Sequence, residues 1–333
     1  MTTISDVAER AKVGVGTVSR VLNNSPSVSD RTREHVLAVI AELGYRPSSL
    51  ARRLSLGRTQ TIGIVAPFFT HPSVVERLRG IVETLRDHAY DLTLFTMDTP
   101  TQLIERLQSL IRPDRADGFL VLSLDLKEDV CKRFRYEEIP VVLIDVAQST
   151  LPHIGIDNVH GGFLATHHLL ERGHQRIAFI GDSERNEFGF TSSHDRRLGY
   201  LHALQKAGIA PHMAYMKEGV HGREVAHRLT AELLSLSERP TAIFAASDTQ
   251  ALGVLEAAQQ AGFAIPGDLS VIGFDDIEVA PYVGLTTVRQ PLYSSGQRGA
   301  LLLLDLLEQR EFTTHAELLP LEVIVRRTTE SLR

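Results

Sequence analysis

From residue 59 to its end the chain alternates strand-length apolar runs with helix-period stretches, and it does so in two successive series. The first holds Thr61-Ile62-Gly63-Ile64-Val65-Ala66, a helix over 76–88, Asp91-Leu92-Thr93-Leu94-Phe95, and a helix from about Thr101. Gly118-Phe119-Leu120-Val121-Leu122 and Pro140-Val141-Val142-Leu143-Ile144-Asp145 follow. After Asp157 the pattern restarts with a helix over 160–172, the strand 176–181 and a helix over 196–207. A helix near 223–234, the strand 242–245, a helix over 249–261 and the strand 269–273 complete it. Two βαβ series predict two parallel-sheet lobes. Ligands of such sheets sit beyond the carboxyl ends of the strands, so two facing lobes make a cleft. The residues just past those ends are Ala66-Pro67-Phe68-Phe69, Asp98, Ser123, Asp145, Ser247-Asp248 and Phe274-Asp275-Asp276.

A different regime precedes this body. Residues 1–58 carry nine Lys/Arg against five acids, whereas the remainder carries 26 against 36. A cationic head on an anionic body suits a polyanionic partner engaged by the head alone. The boundary falls at Arg46-Pro47-Ser48-Ser49-Leu50-Ala51-Arg52-Arg53-Leu54-Ser55-Leu56-Gly57-Arg58, and no Asp or Glu occurs from 43 to 75. The single cysteine, Cys131, excludes an intramolecular disulfide and reads as a core residue in a reducing compartment. Met1-Thr2-Thr3-Ile4-Ser5-Asp6 lacks a basic start and an apolar run, and no run approaches the roughly 18 residues a bilayer span needs. A cytoplasmic protein without membrane contact is expected.

The head reads as three short helices. Thr3 and Asp6 offer a capping-box start, with Val7, Ala8 and Ala11 on one face. Lys12-Val13-Gly14 breaks the pattern before a second helix from Val15 to Asn23, whose apolar side is Val18, Val21 and Leu22. Ser29 caps a third, striped by Val36, Val39, Ile40 and Leu43 and stopped by Gly44 and Pro47. This is a helix-turn-helix unit. Its second helix presents Val15, Gly16, Thr17, Ser19, Arg20 and Asn23 outward, polar and small groups suited to a major groove about 12 Å wide. Ser48 or Ser49 can cap a further helix over Leu50, Ala51 and Leu54, too short to persist unaided.

The head closely resembles the lactose-repressor (LacI/GalR) family. The matching residues are Ile4-Ser5-Asp6-Val7-Ala8, Val13 through Asn23, Val28-Ser29, Thr32-Arg33 and Leu43-Gly44-Tyr45-Arg46-Pro47. The resemblance continues through Asp157-Asn158, Gly161-Gly162, Gly173-His174, Arg196, Gly199-Tyr200, Ala246-Ser247-Asp248, Gly273-Phe274-Asp275-Asp276 and Leu285 to Pro291. It implies a small all-α helix-turn-helix head on an α/β body of two parallel-sheet lobes, the type I periplasmic-binding-protein fold. The implied divisions are a DNA-binding domain at 1–46, a hinge helix and linker at 47–58, and an effector-binding and dimerisation domain at 59–333. The N-lobe is about 59–157 and 289–318, the C-lobe about 158–288 and 319–333.

By this resemblance Val15, Gly16 and Arg20 occupy operator-reading positions and Leu54 that of a minor-groove wedge. Arg52, Arg53, Thr3, Thr17, Ser19, Asn23 and Ser29 complete the expected DNA contacts. Gly14 stands where the family usually has Ser, which removes a cap and a phosphate contact, and Gly16 brings no side chain. Arg196 and Asp275 match the principal effector-holding pair, supported by Asp145 and Gln290. Ser192 joins them. Ser247 stands where the lactose repressor has an effector-contacting Asn, and His221 where it has a stacking aromatic. With the strand-end residues Phe68, Phe69, Asp98 and Ser123, these form the expected effector set.

Enzymatic arrangements fit poorly. Ser193-His194-Asp195 are consecutive and diverge in direction, adjacent Asp275-Asp276 point apart, and His167-His168 with His174 lack zinc-site spacing. Neither a GxSxG nor a P-loop occurs, and Gly14-Val15-Gly16 lacks both the preceding strand and the third glycine of a dinucleotide fingerprint. No catalytic residue, metal or cofactor is expected.

The expected function is an effector-controlled regulator that binds a palindromic operator as a homodimer and represses carbohydrate-utilisation genes, with a sugar as effector. Two alternatives stand beside it: a solute-binding or sugar-processing protein with an N-terminal extension, and a regulator whose corepressor is a nucleobase or other small metabolite. If Leu54 is a wedge, Leu54→Ala weakens operator binding in a gel shift and leaves ligand binding intact; unchanged operator affinity removes that role.

Overall fold

The structure, a computed structural model, describes residues 2–22, 25–45, 58–96, 107, 109–146, 149–183, 190–309 and 316–332. The expectations on Asn23, Arg52, Arg53, Leu54 and Asp98 lie outside these residues. The chain forms two compact units, residues 1–60 and 61–333.

The first unit holds α1 (Ile4–Arg10), α2 (Val15–Leu22) and α3 (Asp30–Glu42). The Thr3 hydroxyl accepts from the Asp6 N–H at 3.3 Å and the Asp6 carboxylate accepts from the Thr3 N–H at 2.8 Å, a reciprocal capping box. Ser29 caps α3 by accepting from the Thr32 N–H. Such short helices are unstable alone, and one shared core of Val7, Ala8, Val18, Val21, Val36 and Val39 holds them together.

The second unit contains two six-stranded sheets. Sheet one, in spatial order, is β11 (Ala316–Leu318), β5 (His153–Gly155), β4 (Val141–Ile144), β3 (Gly118–Leu122), β1 (Thr61–Ala66) and β2 (Asp91–Thr96). Sheet two is β12 (Glu322–Ile324), β10 (Thr286–Arg289), β9 (Ser270–Asp275), β8 (Ala242–Ala245), β6 (Ile177–Asp182) and β7 (Met216–Gly219). The orders correspond strand for strand: β1 with β6, β2 with β7, β3 with β8, β4 with β9, β5 with β10. Pairing among the described strands is parallel except that β12 runs antiparallel to β10. The central strands β1, β3, β4, β8 and β9 are buried throughout, as helices covering both sheet faces require.

The helices are α4 (Pro72–Leu85), α5 (Glu128–Tyr136), α6 (Asn158–Leu170), α7 (Ser192–Lys206), α8 (Arg223–Leu234), α9 (Asp248–Gln260), α10 (Ala280–Val283) and α11 (Leu292–Gln309). α4 starts four residues before the position read from sequence, because Pro72 is favourable in a first turn and His71 takes the N-cap position. α5, α10, α11, β5, β7, β10, β11 and β12 are not among the elements read from sequence. β7 reads Met-Lys-Glu-Gly and, at a sheet edge, has no apolar alternation to reveal it.

After β5 the chain leaves sheet one and enters α6, which packs on α7; after β10 it leaves sheet two and enters α11, which packs on α4. It passes between the sheets once more from β11 to β12. Each lobe's first helix is thus backed by a helix that the other lobe's sheet delivers. Cys131 is buried in the core around Phe119 and Phe134.

A buried histidine fastens the C-terminal segment. His168 Nε2 lies 3.0 Å from the Thr329 hydroxyl, and an Arg172 guanidinium nitrogen lies 3.1 Å from His168 Nδ1, which can accept its hydrogen bond only while the imidazole is uncharged. Burial, then the charge of Arg172 and the neighbouring His174, pull His168 down to about 4 from the usual 6.5. The unfolded chain therefore binds the proton first as pH falls. Stability present above pH 6.5 is lost between about 6.5 and about 4, by roughly 3 kcal/mol for a shift of this size. Denaturant titrations at pH 7 and pH 4.5 should show this loss in the wild type and a smaller one in His168→Gln.

Candidate functional site

In the first unit, α2 buries Val18 and Val21 and turns Gly14, Val15, Gly16 and Arg20 to the outside. Thr17 and Ser19 are half-buried. Apart from the adjoining residues and the helix's own backbone, no atom lies within 4 Å of a Cβ placed at Gly14 or Gly16, so this face is open. Thr3 and Ser29 are committed to helix caps as acceptors; Thr3 keeps a hydroxyl hydrogen to donate elsewhere, and the Ser29 hydroxyl also lies 2.9 Å from that of Thr32. The side chain of Arg10, in contrast, is held by Glu42 at 2.5 Å.

In the second unit the carboxyl ends of both sheets converge on a cavity of about 440 Å³. Of the residues named from sequence, Phe68, Ser123, Asp145, Ser192, Arg196, His221, Ser247, Asp275 and Gln290 line it. Phe69 does not. Phe68 adopts φ 54°, and the turn sends Phe69 against the main core while Phe68 stays 42% exposed at the cavity. Asp248, next to Ser247, also points elsewhere. It accepts from Thr287 and from the Ile277 N–H inside the C-lobe. Seven polar or aromatic lining residues lie outside the expected set: His71, Ser73, Arg77, Asp182, Ser183, Phe190 and Thr249. Asp182 is the last residue of β6, so reading that strand one residue longer finds it. Arg77 gives no signal, since an arginine on an amphipathic helix reads as a solvated side chain.

Charges on the cavity floor form one connected series. Asp145 accepts from Ser123 at 2.7 Å and pairs with Arg77 at 2.7 Å. Arg77 donates to Gln290 Oε1 at 2.9 Å, Gln290 Nε2 donates to Asp275 at 2.5 Å, and Asp275 lies 3.6 Å from Arg196. Arg196 donates to Asn158 at 2.9 Å and to the Ala246 carbonyl at 2.6 Å, and its guanidinium covers the Phe274 ring. The series starts in one lobe, passes through the segment after β10, and ends in the other. Burial raises the Asp275 carboxyl above its ordinary value, opposed by Arg196 and the Gln290 hydrogen bond. Ser123, Asp145 and Asp275 have φ of 55°, 69° and 117°, a backbone strain concentrated where side chains are aimed at the cavity.

Aromatic rings line another part of the wall. Phe68 stacks on His71 at 4.9 Å and approaches Phe190 at 6.2 Å, while His71 meets His221 at 5.0 Å. Phe68 and His71 come from the N-lobe, Phe190 and His221 from the C-lobe, so the rings join the lobes at this wall. Asp182 accepts from Gln250 at 2.9 Å and lies 3.0 Å from His221 Nδ1. Burial pulls His221 down, but the hydrogen bond and charge of Asp182 outweigh it and hold the imidazole above its usual value. His71 is pushed below its usual value by burial and by the neighbouring His221. Proton NMR titration should therefore find His221 above and His71 below the ordinary 6.5. Asp182→Asn should lower the His221 midpoint, and an unmoved midpoint would show that Asp182 does not hold it.

The family model for bacterial regulatory proteins of the lacI family matches residues 3–48, and that for a periplasmic binding protein-like domain matches 166–329. The HTH-type transcriptional repressor CytR of Escherichia coli K12 is 34% identical over 334 residues, covering 99% of this chain and 97% of the relative. A crystal structure of the lac repressor dimer bound to operator and an anti-inducer superposes with a TM-score of 0.87 at 27% identity over 99% of both chains. The transcriptional regulator CelR in complex with cellobiose superposes with a TM-score of 0.71 at 30% identity, covering 98% of this chain and 100% of the other. With an open reading helix in one unit and a two-lobed cleft in the other, the chain belongs to the lacI family and is a sequence-specific DNA-binding transcriptional regulator rather than an enzyme.

Proposed function

We propose that this regulator represses carbohydrate-utilisation genes and is controlled by a small polyhydroxylated effector, a sugar, held in the cleft between the lobes. One observation carries the reading: the floor from Asp145 through Arg77, Gln290 and Asp275 to Arg196. Carboxylates and guanidinium groups together accept from and donate to adjacent hydroxyls with fixed direction. The aromatic wall around Phe68 offers a face for the C–H side of a ring. CelR, a relative by structure, is described with cellobiose.

The reader is the outward face of α2, with Val15, Gly16, Thr17, Ser19 and Arg20, backed by the hinge region at 47–58. The working unit is a homodimer on an inverted-repeat operator. Its support is an apolar strip on the N-lobe: Val75 and Val82, seven residues apart on one face of α4, and Leu94 on the edge strand β2 are each about half exposed. Ligand in the cleft alters the angle between the lobes and so the spacing of the two hinges. A coupling of about 1–3 kcal/mol gives a 5- to 150-fold change in operator affinity. A second reading, a flat nucleobase-like corepressor, is favoured by the near-parallel Phe68–His71 stack alone.

A gel shift on the gene's own promoter tests the proposal. Specific retardation that a sugar changes is expected, and no specific binding with or without ligand would sink it. Arg196→Ala should bind operator as the unliganded wild type does while losing the effector response; a normal response would refute the cleft assignment.

A further inference from the structure

Two imidazoles meet across the mouth of the cleft, one from each lobe. His71 immediately precedes α4 in the N-lobe and His221 follows β7 in the C-lobe, and their ring centroids are 5.0 Å apart. Phe68, which stacks on His71, is 42% exposed and Val220, beside His221, is 77% exposed, so the contact lies at the open rim. At the base, where the chain crosses between the lobes, Gln290 is 5% exposed. A contact at the rim stands away from the crossing segments and follows any change in the angle between the lobes.

One carboxylate serves both rings. Asp182, at the end of β6, lies 3.0 Å from His221 Nδ1 and also accepts from Gln250. Asp275 at the end of β9 and Arg196 on α7 face His221 as well, with opposite effects on its charge. On the N-lobe side of the cavity, Arg77 of α4 and Asp145 past β4 are paired with each other at 2.7 Å. His71 has no acidic partner of its own among the described residues, and the charged groups that act on it are His221 and Asp182. His221 therefore keeps a proton more readily than a free imidazole, through Asp182, while burial and then His221 make His71 less ready to take one. A second proton would set two like charges 5.0 Å apart, behind a single carboxylate, in a wall where both rings are half-buried.

We propose that His71 and His221 form a proton-released latch between the lobes: with at most one proton on the pair the rim stays shut, and a second proton drives the lobes apart. Separation frees His71 from burial and from His221 and returns it toward the ordinary 6.5. The open form thus takes up the proton first, and falling pH favours it. The latch needs no effector. Only its consequence for operator binding rests on the reading above, in which the angle between the lobes sets the spacing of the hinges.

The test measures the lobes directly, on the full chain without ligand. Tyr136→Cys at the end of α5 and Gln205→Cys near the end of α7, both exposed, carry a fluorescent donor and acceptor, while Cys131 is buried and takes little label. Energy transfer is followed from pH 7.5 to 5.5, with labelled chains diluted in unlabelled ones. Transfer efficiency in the wild type should shift as pH falls. His71→Gln, uncharged throughout, should keep the pH 7.5 value across the range, and His71→Lys, charged throughout, should give the acid value even at pH 7.5. His71 makes no side-chain cap bond to α4, so neither change removes a helix cap. The stability lost through His168 is common to all three chains and does not separate them. Constant transfer in the wild type, the same shift in His71→Gln, or two variants that behave alike, as packing alone would make them, overturns the latch. A wild-type shift that His71→Gln abolishes, in a chain that binds no sugar, upholds the latch and overturns the polyol reading alone.

Discussion

Parallel strands cannot be joined by tight turns, and much of the body follows from that constraint. Most strands return through a helix, although β4 reaches its parallel neighbour β5 without one, and the last helix of each series is placed on the other lobe. α6 and α11 are therefore lobe-to-lobe connections as well as coverings for α7 and α4. The segment between β10 and α11 is drawn through the base of the cleft, and Gln290 on it reaches both Arg77 and Asp275. A connection required by topology becomes a contact between binding groups.

The cleft floor brings together groups that are costly to bury singly. An unpaired carboxylate or guanidinium out of water loses several kcal/mol of hydration, and a pair recovers this only with good geometry and its remaining hydrogen-bonding positions filled. Asp145 is held by Arg77 and Ser123, Asp275 by Arg196 and Gln290, and Asp182 by His221 and Gln250, while the Nε of Arg77 is left buried without a partner. Alternating sign along the floor leaves little net charge. Such a surface suits a neutral, hydrogen-bonding ligand better than an ion, which would meet an already compensated partner at every point.

What could be read from sequence follows from how local the determining physics is. Thr3 and Ser29 announced helix starts because a cap needs only the next three residues. Ser123, Asp145 and Asp275 were legible because a buried strand ends where its apolar run ends, and the cleft lies beyond that point. Arg77 was not, because its burial depends on α11 arriving from more than 200 residues away. Phe68 and Phe69 are chemically identical neighbours, and only the left-handed backbone at Phe68 decides which lines the cavity. The edge strand β7, Met-Lys-Glu-Gly, has no apolar pattern to show it, whereas the edge strand β2 keeps Leu92, Leu94 and Phe95 and is legible.

The open positions on the reading helix have a consequence of another kind. Gly16 lies in α2 and, apart from the adjoining residues and the helix's own backbone, no atom comes within 4 Å of where a Cβ would go, so a side chain there meets no steric barrier. Gly16 is only the second residue of α2, so it carries little of the penalty that glycine brings to a helix interior. A new side chain at this position therefore changes what the outward face of α2 presents while the shared core of the first unit, which faces the other way, stays as it is.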